Sequence, residues 1–434
     1  MIKYSVCILF SVLISLSGAA QPRLTLSDAL STALKNSYNI QLAKESLEIA
    51  SINNSYGVAG GLPLVTAQAS DNEQITSINQ KFPDPSRDVQ RDGVSSNNLA
   101  ASLTGSFLLY NGWKVKATKK RLEELQSLNQ DLLNAQIQNT LAAVTTRYYD
   151  IVRQQNFLQT IQKSIEVSRK RVEVIESRQQ VGMSNNADLY QAQLDLNSLI
   201  QSEQAQKLVI DQGKTDLLNL IFVSPDSNIV IADTILVDKS LKLDQIRALL
   251  PTNPQLIAAD QQIKVNELIE RETAALRYPT LRATTGLNIS KTNSGAGFIL
   301  VNQSYGPTFG LNLSVPLYNG LISKKQQQVA AVNTRIAKTQ KDNLLLTVET
   351  GAVKTYQAYN SSLEQLKTAQ TNYELSTRLL DLVMQKFQLG QATIIDVKIA
   401  QQSFENESYR LVNLAYTAKV AEIELKRLSN SIQP

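Results

Sequence analysis

The chain of 434 residues contains no histidine and one cysteine, Cys7. Beyond residue 7 this excludes disulfides, thiol nucleophiles, zinc-type sites with His or Cys ligands, and Ser-His-Asp triads. An enzyme built on carboxylates alone would need an acid constellation. None stands out: Glu123-Glu124 and Glu405/Glu407 lie in helical stretches and read as solvated faces. No catalytic, cofactor-binding or metal-binding residue is expected. Charge is nearly balanced, with 43 Lys and Arg against 38 Asp and Glu, for a net charge of +5. No stretch concentrates cations among aromatics, so nucleic acid is not an expected partner. Long apolar runs are missing after the N-terminus, and a chain resident in a membrane would have to cross it as strands.

Proline is absent from Asn111 to Ser224 and from Leu317 to Gln433, and glycine is absent from Trp113 to Val181. These stretches are rich in good helix formers. Their apolar residues recur at spacings of three and four: Ile137, Leu141, Val144, Tyr148, Ile151, Leu158, Ile165, Val172. That is a heptad-like seam. Trp113 to Val181 predicts about 100 Å of helix at ~1.5 Å per residue. Four shorter amphipathic stretches accompany it: Ser27 to Ala59, Asn186 to Phe222, Leu243 to Leu276 and Thr393 to Ser429. Two laid end to end would match one long helix, an argument for antiparallel coiled-coil packing.

The N-terminus carries Lys3, an apolar run from Val6 to Leu16, and Gly18-Ala19-Ala20. This reads as a secretory signal peptide cleaved after Ala20, too short to span a bilayer. An N-terminal anchor is the alternative. Cleavage would remove Cys7, and no cysteine follows the site to mark a lipoprotein.

The sequence also repeats itself 208 positions apart. Tyr110-Asn111-Gly112 returns as Tyr318-Asn319-Gly320, Tyr148 as Tyr356, and Gly182, Asp188, Ala192 and Gln193 as Gly390, Asp396, Ala400 and Gln401. A repeat this long is no solenoid unit; it implies two copies of a helix-strand-strand-helix-helix unit. Pro63 and Pro279 are 216 apart, so the first copy holds 8 extra residues before its Tyr-Asn-Gly.

Between the first helical stretch and the long helix of each copy, hydrophobicity alternates with period two. Leu99, Ala101, Leu103, Gly105, Phe107 and Leu109 interleave with small polar residues, as do Leu281 to Ile289 and Phe309 to Leu317. A fourth strand near Leu64 to Ile78 alternates less cleanly. Runs of ~9–11 such residues suit a transmembrane β-strand, although a half-buried soluble sheet shows the same pattern. Lys81 to Ser96 and Thr292 to Gln303 read as long polar loops on one side, and Tyr110, Trp113 and Tyr318 gather at the other, where aromatics favour a membrane interface. Lys291 falls on the apolar register but at a strand end. Four strands cannot close a barrel and lipid tolerates no open edge, so a membrane reading requires several copies; three would give twelve strands.

In its tandem halves, its Tyr-Asn-Gly junctions, its turns Val181-Gly182-Met183-Ser184 and Leu389-Gly390-Gln391-Ala392, and the Asp-x-x-x-Ala-Gln after each turn, the chain resembles the TolC-like outer-membrane efflux proteins. The resemblance implies a long α-helical coiled-coil barrel joined to a transmembrane β-barrel, with four strands per chain and twelve in a homotrimer. It implies a passive exit duct of a tripartite efflux or type I secretion system in the Gram-negative outer membrane. That duct would extend into the periplasm and dock an inner-membrane pump through a periplasmic adaptor. The expected organisation is a signal peptide at 1–20, a first repeat at 21–223, an equatorial segment at 224–242, and a second repeat at 243–434 whose tail joins the equatorial region.

The resemblance also assigns the sites. The two turns would be the tip that the adaptor grips, and Asp396 and Asp188 a periplasmic gate, while Tyr110, Gly112, Tyr318 and Gly320 mark the strand-helix junctions. Without it, Gly182 and Gly390 are helix C-caps and the two acids favourable residues at helix N-termini. Family members can carry a second acid one turn later and a base near the turn; here those places hold Ile399 and Ala392. The rival class is a structural or adhesive coiled-coil envelope protein without channel activity, which would have no need of four lipid-compatible strands.

Overall fold

A computed structural model describes residues 23–295 and 299–433. The expected signal peptide lies outside the described residues. In chain order the elements are α1 (Leu26–Asn36), α2 (Tyr38–Asn53), β1 (Leu64–Gln80), β2 (Val89–Tyr110), α3 (Lys114–Gln180), α4 (Asn186–Leu220), α5 (Leu243–Leu249), α6 (Pro254–Ala275), β3 (Thr280–Ser294), β4 (Val301–Ser314), α7 (Ile322–Gln388) and α8 (Ile394–Leu428). The repeat is preserved to the residue: α3 and α7 have 67 residues each, α4 and α8 have 35 each, and all four boundaries recur 208 positions on. Left-handed backbone recurs at the same offset, at Gly112 and Gly320, Gly182 and Gly390, and Phe222 and Asn430.

Each half's opening helical stretch is two helices rather than one. Ser37 closes α1 through its N–H to the Ala33 carbonyl, and its hydroxyl then accepts the Ile40 N–H to open α2. Its counterpart 216 positions on is Asn253, whose side chain accepts the Gln255 N–H after the turn Leu250–Thr252. Pro251, lacking an N–H, cannot continue α5.

The described residues fall into two units. In one, made of residues 23–45, 132–257 and 344–433, α4 runs back along the C-terminal part of α3: Gln206 meets Gln154 and Asp195 meets Arg171. Leu141, Val144, Tyr148 and Ile151 of the seam are at most 1 % exposed. They pack with Leu30, Ile210, Leu217, Ile229 and Ile231. Burying each aliphatic side chain contributes about 1.5–3 kcal/mol. Ile137 and Leu158 stay at the margin of this core. A second core repeats it: Val144 and Leu217 become Ala352 and Leu425, and Leu30 becomes Ile246. Segment 224–242 is extended and forms a single bridge, Val230 to Arg23. It places Ile229 and Ile231 in the first core and Val237 and Leu241 against the second.

The other unit, residues 46–131 and 258–343, holds one antiparallel sheet in the order β1-β2-β3-β4. Its strands run longer than the alternation implied at their outer ends, with 17, 22, 15 and 14 residues. Val89 to Ser96, expected as loop, pairs with β1, so the 8 extra residues of the first copy lengthen its hairpin. Likewise Thr292 to Ser294 and Val301 to Gln303 are strand, leaving a shorter loop. At the inner end β4 stops at Ser314 instead of reaching Leu317, because Pro316 has no N–H to give the ladder.

Candidate functional site

Strand register sorts the sheet into two chemically opposite faces. One carries the rows Val65–Gly105–Thr285–Phe309, Ala67–Leu103–Leu287–Pro307 and Ala69–Ala101–Ile289–Tyr305, with Phe107, Ala283 and Leu311 one row further in. The apolar band ends at Asp71–Leu99–Lys291–Gln303, where Lys291 sits opposite Leu99 on the outward register. The other face carries Thr66–Thr104–Gly286–Thr308, Gln68–Ser102–Asn288–Gly306 and Ser70–Ala100–Ser290–Ser304. Its side chains bond across strands: Ser290 to Ser304 at 2.9 Å, and Asn288 to Thr308 and Asn312 to Thr284 at 3.3 Å.

The apolar band is of the height that the apolar belt of an outer-membrane barrel requires. Leu281 to Ile289 spans nine residues, about 30 Å at ~3.3 Å each; a tilt of ~40° reduces this to about 23 Å, against an apolar belt of ~25 Å in outer-membrane barrels. Phe309 is 82 % exposed and Leu311 71 %. A continuous apolar surface of this kind marks contact with lipid or protein. β1 and β4 are the two sheet edges. Among the described residues no helix is long and apolar enough to cross a membrane.

At the inner end, the strands pass into the long helices through Asn-Gly. The Asn111 side chain accepts the Val115 N–H, and Gly112 has φ 66°. Gly112 is required twice over: an added Cβ would stand 2.6 Å from Tyr278 Cβ and 3.0 Å from the Ala275 carbonyl. Gly320 has φ 64° but open space around it. Tyr110 packs edge-on against Trp113 with ring centroids 5.9 Å apart, and Tyr318 is exposed.

The helical turns are built alike. After α3, the Met183 N–H reaches back to the Arg178 carbonyl at 2.8 Å around left-handed Gly182; after α7, Gln391 reaches Lys386 at 2.8 Å around Gly390. Both are Schellman ends. Val181, Met183 and Leu389 are left exposed, with Ser184 and Ala392 half-buried beside them. Arg178 donates to the Phe387 carbonyl and lies 4.6 Å over its ring, tying the two turns together.

The two acids differ. Asp396 completes a capping box: its carboxylate accepts the Thr393 N–H at 2.8 Å and hydroxyl at 2.7 Å, and its own N–H returns to Thr393. These bonds, the backbone one first, hold the exposed Asp396 carboxyl below its ordinary value. Asp188 gives its N–H to Asn185, the cap of α4, at 2.8 Å. Thr393 three residues before Asp396 was a legible capping-box signal. Further up the bundle, sequence reasoning missed a charge cluster: buried Arg171 donates to Asp195 at 3.0 Å, and Lys398 reaches the same carboxylate at 3.3 Å.

The profile of the "Outer membrane efflux protein" family matches residues 29–221 and 246–431. The chain belongs to this family. Its members are outer-membrane channels rather than enzymes, extending into the periplasm of Gram-negative bacteria. Among relatives, the outer membrane protein TolC of Escherichia coli is 22 % identical over 77 % of this chain and 70 % of its own length. The proteases secretion protein PrtF of Dickeya chrysanthemi is 21 % identical over 98 % of this chain and 92 % of its own. The crystal structure of the outer membrane protein VceC from Vibrio cholerae superposes with a TM-score of 0.76 at 18 % identity, covering 93 % of this chain and 95 % of that one. Four strands and two 67-residue helices are thus this efflux-family chain's form of that fold.

Proposed function

We propose that three copies of this chain close into a twelve-stranded barrel continued by a helical duct, and that the assembly is the passive exit conduit of a tripartite efflux or type I secretion system. The two-faced sheet with open edges carries this reading. Its apolar face is as tall as a lipid belt, its polar face is lined by Thr, Ser and Asn, and β1 of one copy can pair antiparallel with β4 of the next. Two copies would give eight strands, whose interior is filled by side chains; twelve leave a lumen.

The paired turns serve as the adaptor-binding tip, since Val181, Met183 and Leu389 present apolar side chains that none of the described residues covers. Behind them Asp396 and Asp188 line the periplasmic mouth, where three copies of an acid around a constriction favour cations. Tyr110, Gly112, Tyr318 and Gly320 turn the strands into the duct at the interface level. The 21–223 and 243–434 halves supply equivalent walls, and 224–242 straps both cores as the equatorial segment. The family's description names efflux and one relative's name secretion, and the substrate is chosen by the pump.

The test is to purify the protein from outer membranes, measure its oligomeric mass and record conductance in a planar bilayer. A trimer with discrete conductance is expected. A non-conducting monomer would sink the proposal.

A further inference from the structure

Where the polar sheet face meets the helices, the second unit forms an open pocket of about 810 Å³. Drug-sized ligands occupy pockets of roughly 300–1,000 Å³. Its lining combines apolar Leu62, Leu108 and Tyr278 with polar and cationic Lys114, Ser106 and Arg282. No Asp or Glu lines it. Arg282 is the one charge in the polar rows from Leu108–Arg282–Asn312 to Asn72–Asn98–Thr292–Asn302. Its guanidinium lies on that face, 3.4 Å from the Ser106 hydroxyl. Three acids on the adjoining helices are engaged elsewhere: Glu123 by Lys119, Glu272 by Arg121 and Glu124 by Lys264. Among the described residues no carboxylate pairs with Arg282 or Lys114.

We infer that this cavity is a binding station for amphiphilic organic anions, compounds with a carboxylate or sulfonate on a flat apolar body. The anionic head meets Arg282 and Lys114, and the body lies against Leu62, Leu108 and Tyr278. A guanidinium and an ammonium that no carboxylate pairs are available to an anion at the rim of a lumen, and charge-assisted bonds are the strong ones. Repeated in three copies, the stations form a cationic ring at the inner end of the barrel. Such a ring selects anions, opposite in sign to the acids at the periplasmic mouth. This inference rests on the proposed barrel, because only closure makes the polar face a lumen.

The test uses the full-length assembly in a planar bilayer with 2-naphthalenesulfonate as blocker and naphthylmethylammonium as its cationic counterpart. The sulfonate should block the current at concentrations where the ammonium does not, and block should weaken as KCl is raised. Arg282→Gln and Lys114→Gln should each raise the half-blocking concentration about tenfold or more, while Arg282→Lys retains most of the block. Lys114 lies outside the sheet, so its variant and the salt dependence of the unaltered channel decide the matter if Arg282→Gln fails to assemble. A conducting channel blocked equally by both probes, or variants blocked as the original is, would overturn the inference and leave the conduit standing. Absence of any conductance would strike the conduit itself.

Discussion

Removing Asp195 should loosen the turn end of the helical bundle more than removing any neighbouring surface charge does. Arg171 of α3 is 1 % exposed, and its Nε finds no hydrogen-bond partner. Burial pushes its guanidinium toward losing its proton, and Asp195 opposes that. Asp195→Ala leaves a cation in a dry core with no counter-charge, a change that costs about 3–5 kcal/mol. At ~1.36 kcal/mol per decade this is two to nearly four decades in the local opening constant. Hydrogen exchange of α3 and α4 amides on either side of the pair reads that constant directly. Lys398 contacts the same carboxylate from a 45 % exposed position. Lys398→Ala should therefore cost no more than about 1 kcal/mol. Replacing Arg171 by Leu in the Asp195→Ala background should restore most of the protection, because the cost is an unpaired buried charge rather than a lost attraction. Unchanged exchange in Asp195→Ala, or a double variant no better than the single one, would refute the reasoning.

Three further outcomes are expected. Gly320→Ala should cost about 1–2 kcal/mol for its left-handed backbone alone, whereas Gly112→Ala also drives a Cβ to 2.6 Å from Tyr278; equal urea midpoints for the two would contradict the junction geometry. Phe309→Arg should destabilise by about 2–4 kcal/mol in bilayers and Thr308→Arg, on the opposite face, by far less; folding titrations in vesicles compare them, and similar losses would deny the lipid face. Asp396 is held below its ordinary value by Thr393, so its capping contribution is present above the unfolded pKa and lost only as pH falls through the lower folded one. Cation selectivity and protease resistance of the tip should thus be steady from pH 7 down to about pH 5. A loss already at pH 6, or Asp396→Ala channels with unaltered selectivity and conductance, would count against the gate.

The helices and the duplication were legible because their signals are long and local. A span from Trp113 to Val181 without Gly or Pro leaves little choice but helix, and its seam residues Leu141, Val144 and Ile151 are the ones buried. Strand ends were not legible. Val89 to Ser96 is polar because it extends past the apolar band, and polarity alone reads as loop. Ladder pairing with β1 makes it strand, and pairing is not written in one segment. The break at Ser37 hid inside an amphipathic pattern because its hydroxyl supplies the cap that the periodicity ignores. Among the sites, the turn glycines announced themselves through conformation. Arg171, in contrast, directly follows the exposed Arg169 and Lys170 in the sequence and reads like them as a solvated charge, and only packing against α4 and α8 buries it.

The two offsets acquire a physical meaning from the same contrast. Any residue added to α3 but not to α7 would put one tip ~1.5 Å beyond the other and rotate its side chains by ~100°. Arg178 would then miss the Phe387 carbonyl, and the cores that exchange Val144 for Ala352 and Leu217 for Leu425 would lose register. The length between the Tyr-Asn-Gly junction and the tip is therefore held equal in the two halves by packing on both sides, which keeps the offset at 208. An antiparallel hairpin has no such constraint: added residues in pairs lengthen its outer ribbon and leave the apolar rows where they were. That is where the offset of 216 relaxes, in the hairpin of β1 and β2, beyond the row at Asp71 and Lys291.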